Sequence, residues 1–147
     1  MAASSSYTAL LLLLISANAL LLPHGAKGDT ADVLFVVATQ VAYGQGFVIA
    51  GNCSSLGSWT PTSAPLMSLA TGTESYWLLT VALEEGLYLE FKPVRVVYDT
   101  KVALEWYNGN NLDITVPASG SCPTSVYIEW NGSTSLSDGA STSTATA

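Results

Sequence analysis

From Val33 the chain reads VLFVVAT, a run of β-branched and aromatic residues. AYGQG over Ala42 to Gly46 is a turn signature, and Phe47 to Ala50 (FVIA) is a second apolar run. Tyr76 to Leu83 (YWLLTVAL) is a third, closed by the turn chemistry of Glu84-Glu85-Gly86. Leu87 to Val97 (LYLEFKPVRVV) alternates in its first half. Leu87, Leu89 and Phe91 fall on one face, and Tyr88, Glu90 and Lys92 fall on the other. Pro93 lacks an N–H and predicts an edge or a bulge there. Leu104–Trp106, Leu112–Val116 and Val126–Trp130 complete the set. No stretch carries a helical period with caps. Short strands separated by Gly, Asn and Pro predict an all-β fold, an antiparallel sandwich or barrel. No internal repeat is visible.

The two ends depart from this pattern. Residues 1–28 hold the unbroken run Leu10 to Ile15, too short to cross a bilayer as a helix. Ala17-Asn18-Ala19 fits a signal peptidase site, so secretion is expected. A plastid transit peptide is the alternative, since the stretch is Ser-rich and free of acid, although it lacks Arg. Residues 131–147 are rich in Ser, Thr, Ala and Gly, with little to bury, and read as a linker or tail. The folded part is therefore residues 30–130, one domain of ordinary size.

Charge narrows the partners. All 11 Asp and Glu lie beyond residue 28, against Lys92, Arg95 and Lys101. So acidic a chain excludes nucleic acid and anionic membranes, which need basic patches. It suits neutral ligands. The chemistry of an enzyme is hard to find. The one His is His24, in or beside the leader, so no Ser-His or Cys-His pair can form in the folded part. Metal-ligand spacing and phosphate loops are missing, and no cofactor is expected. No carboxylate pair is marked for glycoside hydrolysis. Cys53 and Cys122 form one disulfide in the simplest reading of a secreted chain, which would be worth about 4 kcal/mol. Two free thiols are the alternative.

One stretch resists the strand pattern. GNCSSLGSW, residues 51–59, leads small and polar residues into Trp59. Later LEWYNGNNLDITVP sets Trp106 at a strand end beside Asn and Gly. A sugar ring has an apolar C–H face and a rim of hydroxyls. Indole can cover the face, and amides, Lys or Glu can bond the rim; such a stack is worth about 1 kcal/mol. On composition alone, a Trp that merely caps the core is an equal alternative.

The stretches TQVAYGQGFVIAGN, LGSW, YWLLTVAL, LEFK, LEWYNGNNLDITVP and TSVYIEW, in that order, resemble a starch-binding domain of carbohydrate-binding module family 20. The resemblance covers nearly the whole folded part. It implies an immunoglobulin-like antiparallel β-sandwich that binds α-1,4-glucans without catalysis. It implies a first site made by Trp59, Trp106, Lys92 and Asn111, with Glu90 nearby. It also implies a second site at Tyr43, left incomplete because Met67 to Tyr76 is short and lacks the Tyr expected there. A monomer is expected, with starch, glycogen or maltooligosaccharides as partners. The chain departs from the family's pattern in its cysteines, with Cys53 in the GN loop, and in the flexible YNGNN after Trp106. Asn52-Cys53-Ser54 and Asn131-Gly132-Ser133 are glycosylation sequons. Two other readings stand beside the binding module. One is the appended module of an α-glucan-active enzyme whose catalytic part is not in this chain. The other is a structural domain with Trp59 and Trp106 buried and far apart.

Overall fold

The computed structural model describes residues 28–73, 75–118, 124–130 and, for the backbone only, 133–137. The expected leader short of Gly28, and Cys122, lie outside the described residues. Among the described residues nine strands follow one another: β1 (Thr30–Ala38), β2 (Gln45–Gly51), β3 (Ser68–Leu69), β4 (Tyr76–Glu84), β5 (Tyr88–Val97), β6 (Ala103–Trp106), β7 (Leu112–Thr115), β8 (Thr124–Glu129) and β9 (Ser133–Ser137). The larger sheet has the order β3-β4-β1-β8-β9; the smaller has β2-β5-β6, with β7 also on β5. The all-β sandwich read from the sequence is therefore the fold, with one addition. β1 and β8 run parallel, Val33 beside Thr124 through Ala38 beside Glu129, within an otherwise antiparallel set.

The alternation of β1 aims Val33, Phe35 and Val37 inward, and that of β5 aims Leu89 and Phe91 to meet them. Phe35 and Phe91 touch edge to face, with ring centroids 5.0 Å apart at 71°. Each large apolar side chain buried this way is worth about 1.5–3 kcal/mol.

Three local readings change. Pro93 lies in a central strand, paired with Ile49 of β2. Its other side falls between the end of β7 pairing at Phe91 and the start of β6 pairing at Val94. The Tyr107 N–H donates to the Pro93 carbonyl on that side at 3.0 Å, and Pro93 has no N–H to return the bond, so the β6 ladder stops at Val94. The bulge lies instead between Arg95 and Val96. Ser133–Ser137, read as the start of a tail, forms β9 against β8. Its serines gave no apolar alternation to read. Ser68–Leu69 forms the short β3 on β4, a strand of two residues that is too short to write a pattern of its own.

A second, smaller cluster lies outside the sandwich. Val48, Ala50, Val94 and Val96 face outward from the small sheet and are buried with Ala64, while Trp59 and Leu66 pack against them from the loop after β2.

Candidate functional site

The loop that carries Trp59 is built from Gly51 onward. A Cβ at Gly51 would lie 2.8 Å from both the Glu90 carbonyl oxygen and Leu56 Cδ1, so only glycine lets the chain pass. Asn52 then replaces a strand residue with its own side chain. Its backbone N–H donates to the Glu90 carbonyl (2.9 Å), its Oδ1 accepts from the Glu90 N–H (3.2 Å), and its Nδ2 donates to the Tyr88 carbonyl (3.3 Å). β5 stays satisfied while the chain leaves the sheet. Leu56 plugs the main core at 0% exposure. Gly57, at φ +72, rests on the Ser63–Ala64 backbone, where a Cβ would come within 2.5 Å of the Ala64 nitrogen. Ser58 and Trp59 are also left-handed, at φ 47 and 64. Each costs about 1–2 kcal/mol for a residue with a Cβ, and the packing around them holds the strain. Lys101 Nζ donates to the Ala64 carbonyl at 3.0 Å and pins the far end of the loop. Trp59 is thereby fixed half-buried, with part of its surface on the outer cluster of the small sheet.

That placement answers why a Trp ends a run of small residues. The small residues make the turn, and the indole covers a sheet face that would otherwise be bare. Trp106 stands directly across from Val94 on β6, so it shares the outward face with the same cluster, and it is 40% exposed. Lys92, two residues before Val94 and opposite Ala50, points to that face too. Glu90 follows, opposite Asp113. Asn111, exposed, directly precedes Leu112, the β7 partner of Phe91. Trp106, Lys92 and Glu90 thus share the outward side of the small sheet, Trp59 packs over the outer cluster on that side from the loop after β2, and Asn111 is exposed just before β7. Arg95 and Glu105, an ion pair, alternate to the opposite side.

Tyr43 stands apart. It is fully exposed on the turn before β2, beside an open groove of about 310 Å³ lined also by Gln40, Gln45, Leu69 and Trp77. Gln45 Oε1 and Trp77 Nε1 are buried with no hydrogen-bond partner. The sequence reading did not single out either residue. Their signal, a polar group at a strand start that burial leaves unpaired, exists only in three dimensions. Asn52, Gly57 and Lys101 were missed as supports for the same reason, although Gly57 stood in the quoted LGSW. Cys53 is a free thiol, half-buried in the loop, and its expected partner lies outside the described residues. Among the described residues, no group of three or more His, Cys, Asp or Glu is placed to hold a metal.

Two tyrosines have phenols held above their ordinary pKa near these faces. Burial raises Tyr107. Tyr88 is raised by partial desolvation first, then by the charges of Asp113 and Glu90, and by a hydrogen bond to Asp113.

The profile of the starch binding domain family matches residues 30–126. The chain belongs to this family. An α-amylase of Streptomyces violaceus is 37% identical over 98 residues, which are 67% of this chain and 16% of that enzyme. The family 20 carbohydrate-binding module of a maltotetraose-forming amylase from Pseudomonas saccharophila STB07 superposes with a TM-score of 0.56 at 28% identity, over 67% of this chain and all of that one. A family 15 glucoamylase from Hypocrea jecorina gives a TM-score of 0.58 at 30% identity, over 68% of this chain and 16% of that one. This starch-binding-domain chain spans about a sixth of the curated amylase it matches.

Proposed function

We propose that the chain holds starch, glycogen or maltooligosaccharides without altering them covalently. The platform is Trp59 and Trp106, with Lys92, Asn111 and Glu90 bonding the hydroxyl rim. One observation carries this reading. Trp59 rests on the cluster that contains Val94, and Trp106 is the cross-strand neighbour of Val94. Two indoles on one face, beside an ammonium, an amide and a carboxylate, suit a neutral ring with an apolar face and a polar rim. The structural-domain alternative needed both rings buried, and Trp106 at 40% exposure speaks against it. Tyr43 supplies a weaker second contact.

The module works in this reading by placing something on glucan. The short share of its relatives that the chain spans favours an appended module of an α-glucan-active enzyme as its setting. Attachment would raise retention on a granule, where many chain ends are offered at high effective concentration. Secretion, through the leader expected in residues 1–28, and a monomeric state complete the proposal.

Sedimentation with granular starch tests it. The wild type should pellet with starch and not with cellulose, Trp106→Ala should stay in the supernatant, and no reducing sugar should form on long incubation. Equal sedimentation of Trp106→Ala would overturn the platform. Reducing ends that cease to form in Glu90→Gln or Asp113→Asn would overturn the non-catalytic reading.

A further inference from the structure

Resting on the platform reading above, we infer that the glucan-binding face continues along β5 to Tyr88, which with Asp113 forms an outer subsite for long, neutral α-glucan chains. The register carries this. Tyr88, Glu90, Lys92 and Val94 alternate onto one side of β5, and Thr115 and Asp113 of β7 stand across from Tyr88 and Glu90. Successive same-face residues of a strand lie about 7 Å apart, so Tyr88 is about 13 Å from Lys92 and about 20 Å from the Val94–Trp106 rung. Several sugar rings fill that span. A short oligosaccharide on the two indoles would not reach Tyr88, whereas a long chain running along β5 would.

The chemistry at that end repeats the chemistry of the platform. Tyr88 is 55% exposed, so an aromatic face is open to a ligand. Asp113 stands across from Glu90 on β7, close enough to Tyr88 to help hold its phenol proton by charge and a hydrogen bond, and Glu90 lies one same-face step away. An aromatic surface edged by carboxylate acceptors suits a hydroxylated ring, and the paired negative charges disfavour an acidic polysaccharide. The backbone under Tyr88 is also held in place. Its carbonyl accepts from Asn52 Nδ2, and Asn52 is the residue that launches the Trp59 loop. One amide therefore fixes the starting points of both ends of the face. Tyr76, exposed at 41% on the opposite sheet, serves as the control for an exposed strand tyrosine outside this face.

The experiment is calorimetry of the non-glycosylated chain with maltotriose, maltoheptaose and soluble amylose. The variants are Tyr88→Ala, Tyr88→Thr (which retains strand propensity), Tyr76→Ala and Trp106→Ala. Tyr88→Ala and Tyr88→Thr should bind maltotriose within two-fold of the wild type and amylose about three- to ten-fold more weakly, the range of one aromatic contact. Tyr76→Ala should bind all three as the wild type does. Trp106→Ala should lose all three. Wild-type amylose binding by both Tyr88 variants, with Trp106→Ala impaired, would overturn the outer subsite and leave the platform standing. Equal losses for maltotriose and amylose would overturn it too, because the effect would then belong to the whole face. Unimpaired Trp106→Ala would overturn the platform itself.

Discussion

Trp59 and Tyr43 are both aromatic residues on turns of small residues, and the fold treats them in opposite ways. The Trp59 turn is fastened by Asn52 to β5, by Gly57 to the Ser63–Ala64 backbone and by Lys101 to Ala64, and the indole lies on a buried patch of its own. The Tyr43 turn is closed by Gln45 N–H to Ala42 carbonyl at 3.1 Å and by Tyr98 N–H to Gly44 carbonyl at 2.9 Å, while the phenol itself is fully in solvent. The difference is one of order before the ligand arrives. Fixing a free aromatic side chain on binding costs about 0.5–1.5 kcal/mol, nearly what one sugar stack contributes. Trp59 has met that cost during folding. Tyr43 has not, so on the proposed platform the same chemistry should yield a strong contact in one turn and a weak one in the other.

The largest expected effect comes from the indoles. Trp106→Ala should weaken binding of a cyclic maltooligosaccharide by more than ten-fold with little change in melting temperature, since its ring is 40% exposed. Trp59→Ala should weaken binding similarly and also lower the melting temperature, because its ring covers the cluster of Val48, Ala50, Val94 and Val96. Calorimetry beside thermal unfolding separates the two. A Trp59→Ala protein as stable as the wild type would show that the indole does not cover that patch.

The next effect compares the turns through their glycines. Gly57 and Gly44 have nearly the same left-handed backbone, φ +72 and +80, but a Cβ at Gly57 meets backbone at 2.5 Å and one at Gly44 meets nothing within 4 Å. Gly44→Ala should cost about 1–2 kcal/mol, the conformational strain alone. Gly57→Ala should cost at least about 1 kcal/mol more, because the loop must shift, and should move Trp59 off its patch. Urea unfolding of the two variants measures the gap. Equal losses would mean that the crowding at Gly57 is relieved freely and that the fastening of the Trp59 turn is weaker than described.

The same contrast marks what could be read from the chain. The strands were legible where one face is buried and the other is not, as in Leu87 to Lys92, because burial writes a period of two. β9 was not, because STSLS holds a single apolar residue, Leu136, and one residue writes no period. The outward placement of Lys92 followed from the alternation of its strand, that of Trp106 stood even with a core cap on composition alone, and the likeness to the family named the two together. The reason Trp59 sits in a turn was not legible. It depends on Val48, Ala50, Val94 and Val96 facing outward, and those residues look like ordinary core in sequence. Pro93 was misplaced because sequence shows a missing donor but not that the neighbouring strands part company opposite it.

A smaller effect is expected at Tyr43. Tyr43→Ala should leave the melting temperature unchanged, as the side chain is fully exposed, and should weaken binding of a cyclic maltooligosaccharide by about two- to three-fold at most. A titration that fits two equal sites, one abolished by Tyr43→Ala, would break the comparison: the ordering cost would not then decide between the turns. The unpaired Gln45 Oε1 and Trp77 Nε1 beside Tyr43 would be the place to look for the missing energy.

The smallest effect concerns alkaline pH and the support beneath the Trp106 strand end. Tyr107 follows Trp106, is 5% exposed and packs on Trp130 with ring centroids 5.9 Å apart, where burial raises its phenol above the ordinary value. A tyrosine of the unfolded chain loses its proton near pH 10, whereas the folded one holds it to higher pH. The unfolded state therefore binds fewer protons once the pH passes about 10, and stability falls as pH rises. Below that point both states are protonated and the full stability is present. The loss continues until the folded phenol also ionises, with a slope of at most about 1.4 kcal/mol per pH unit for this one group. Tyr107→Phe removes the group and keeps the ring. Its urea midpoint should thus fall less steeply than that of the wild type between about pH 9.5 and 11, while all other titrating groups act alike in both proteins. Parallel profiles would mean that Tyr107 titrates alike in the folded and unfolded chains. The ring beneath the Trp106 strand end would then be as open to water as the one on the Tyr43 turn.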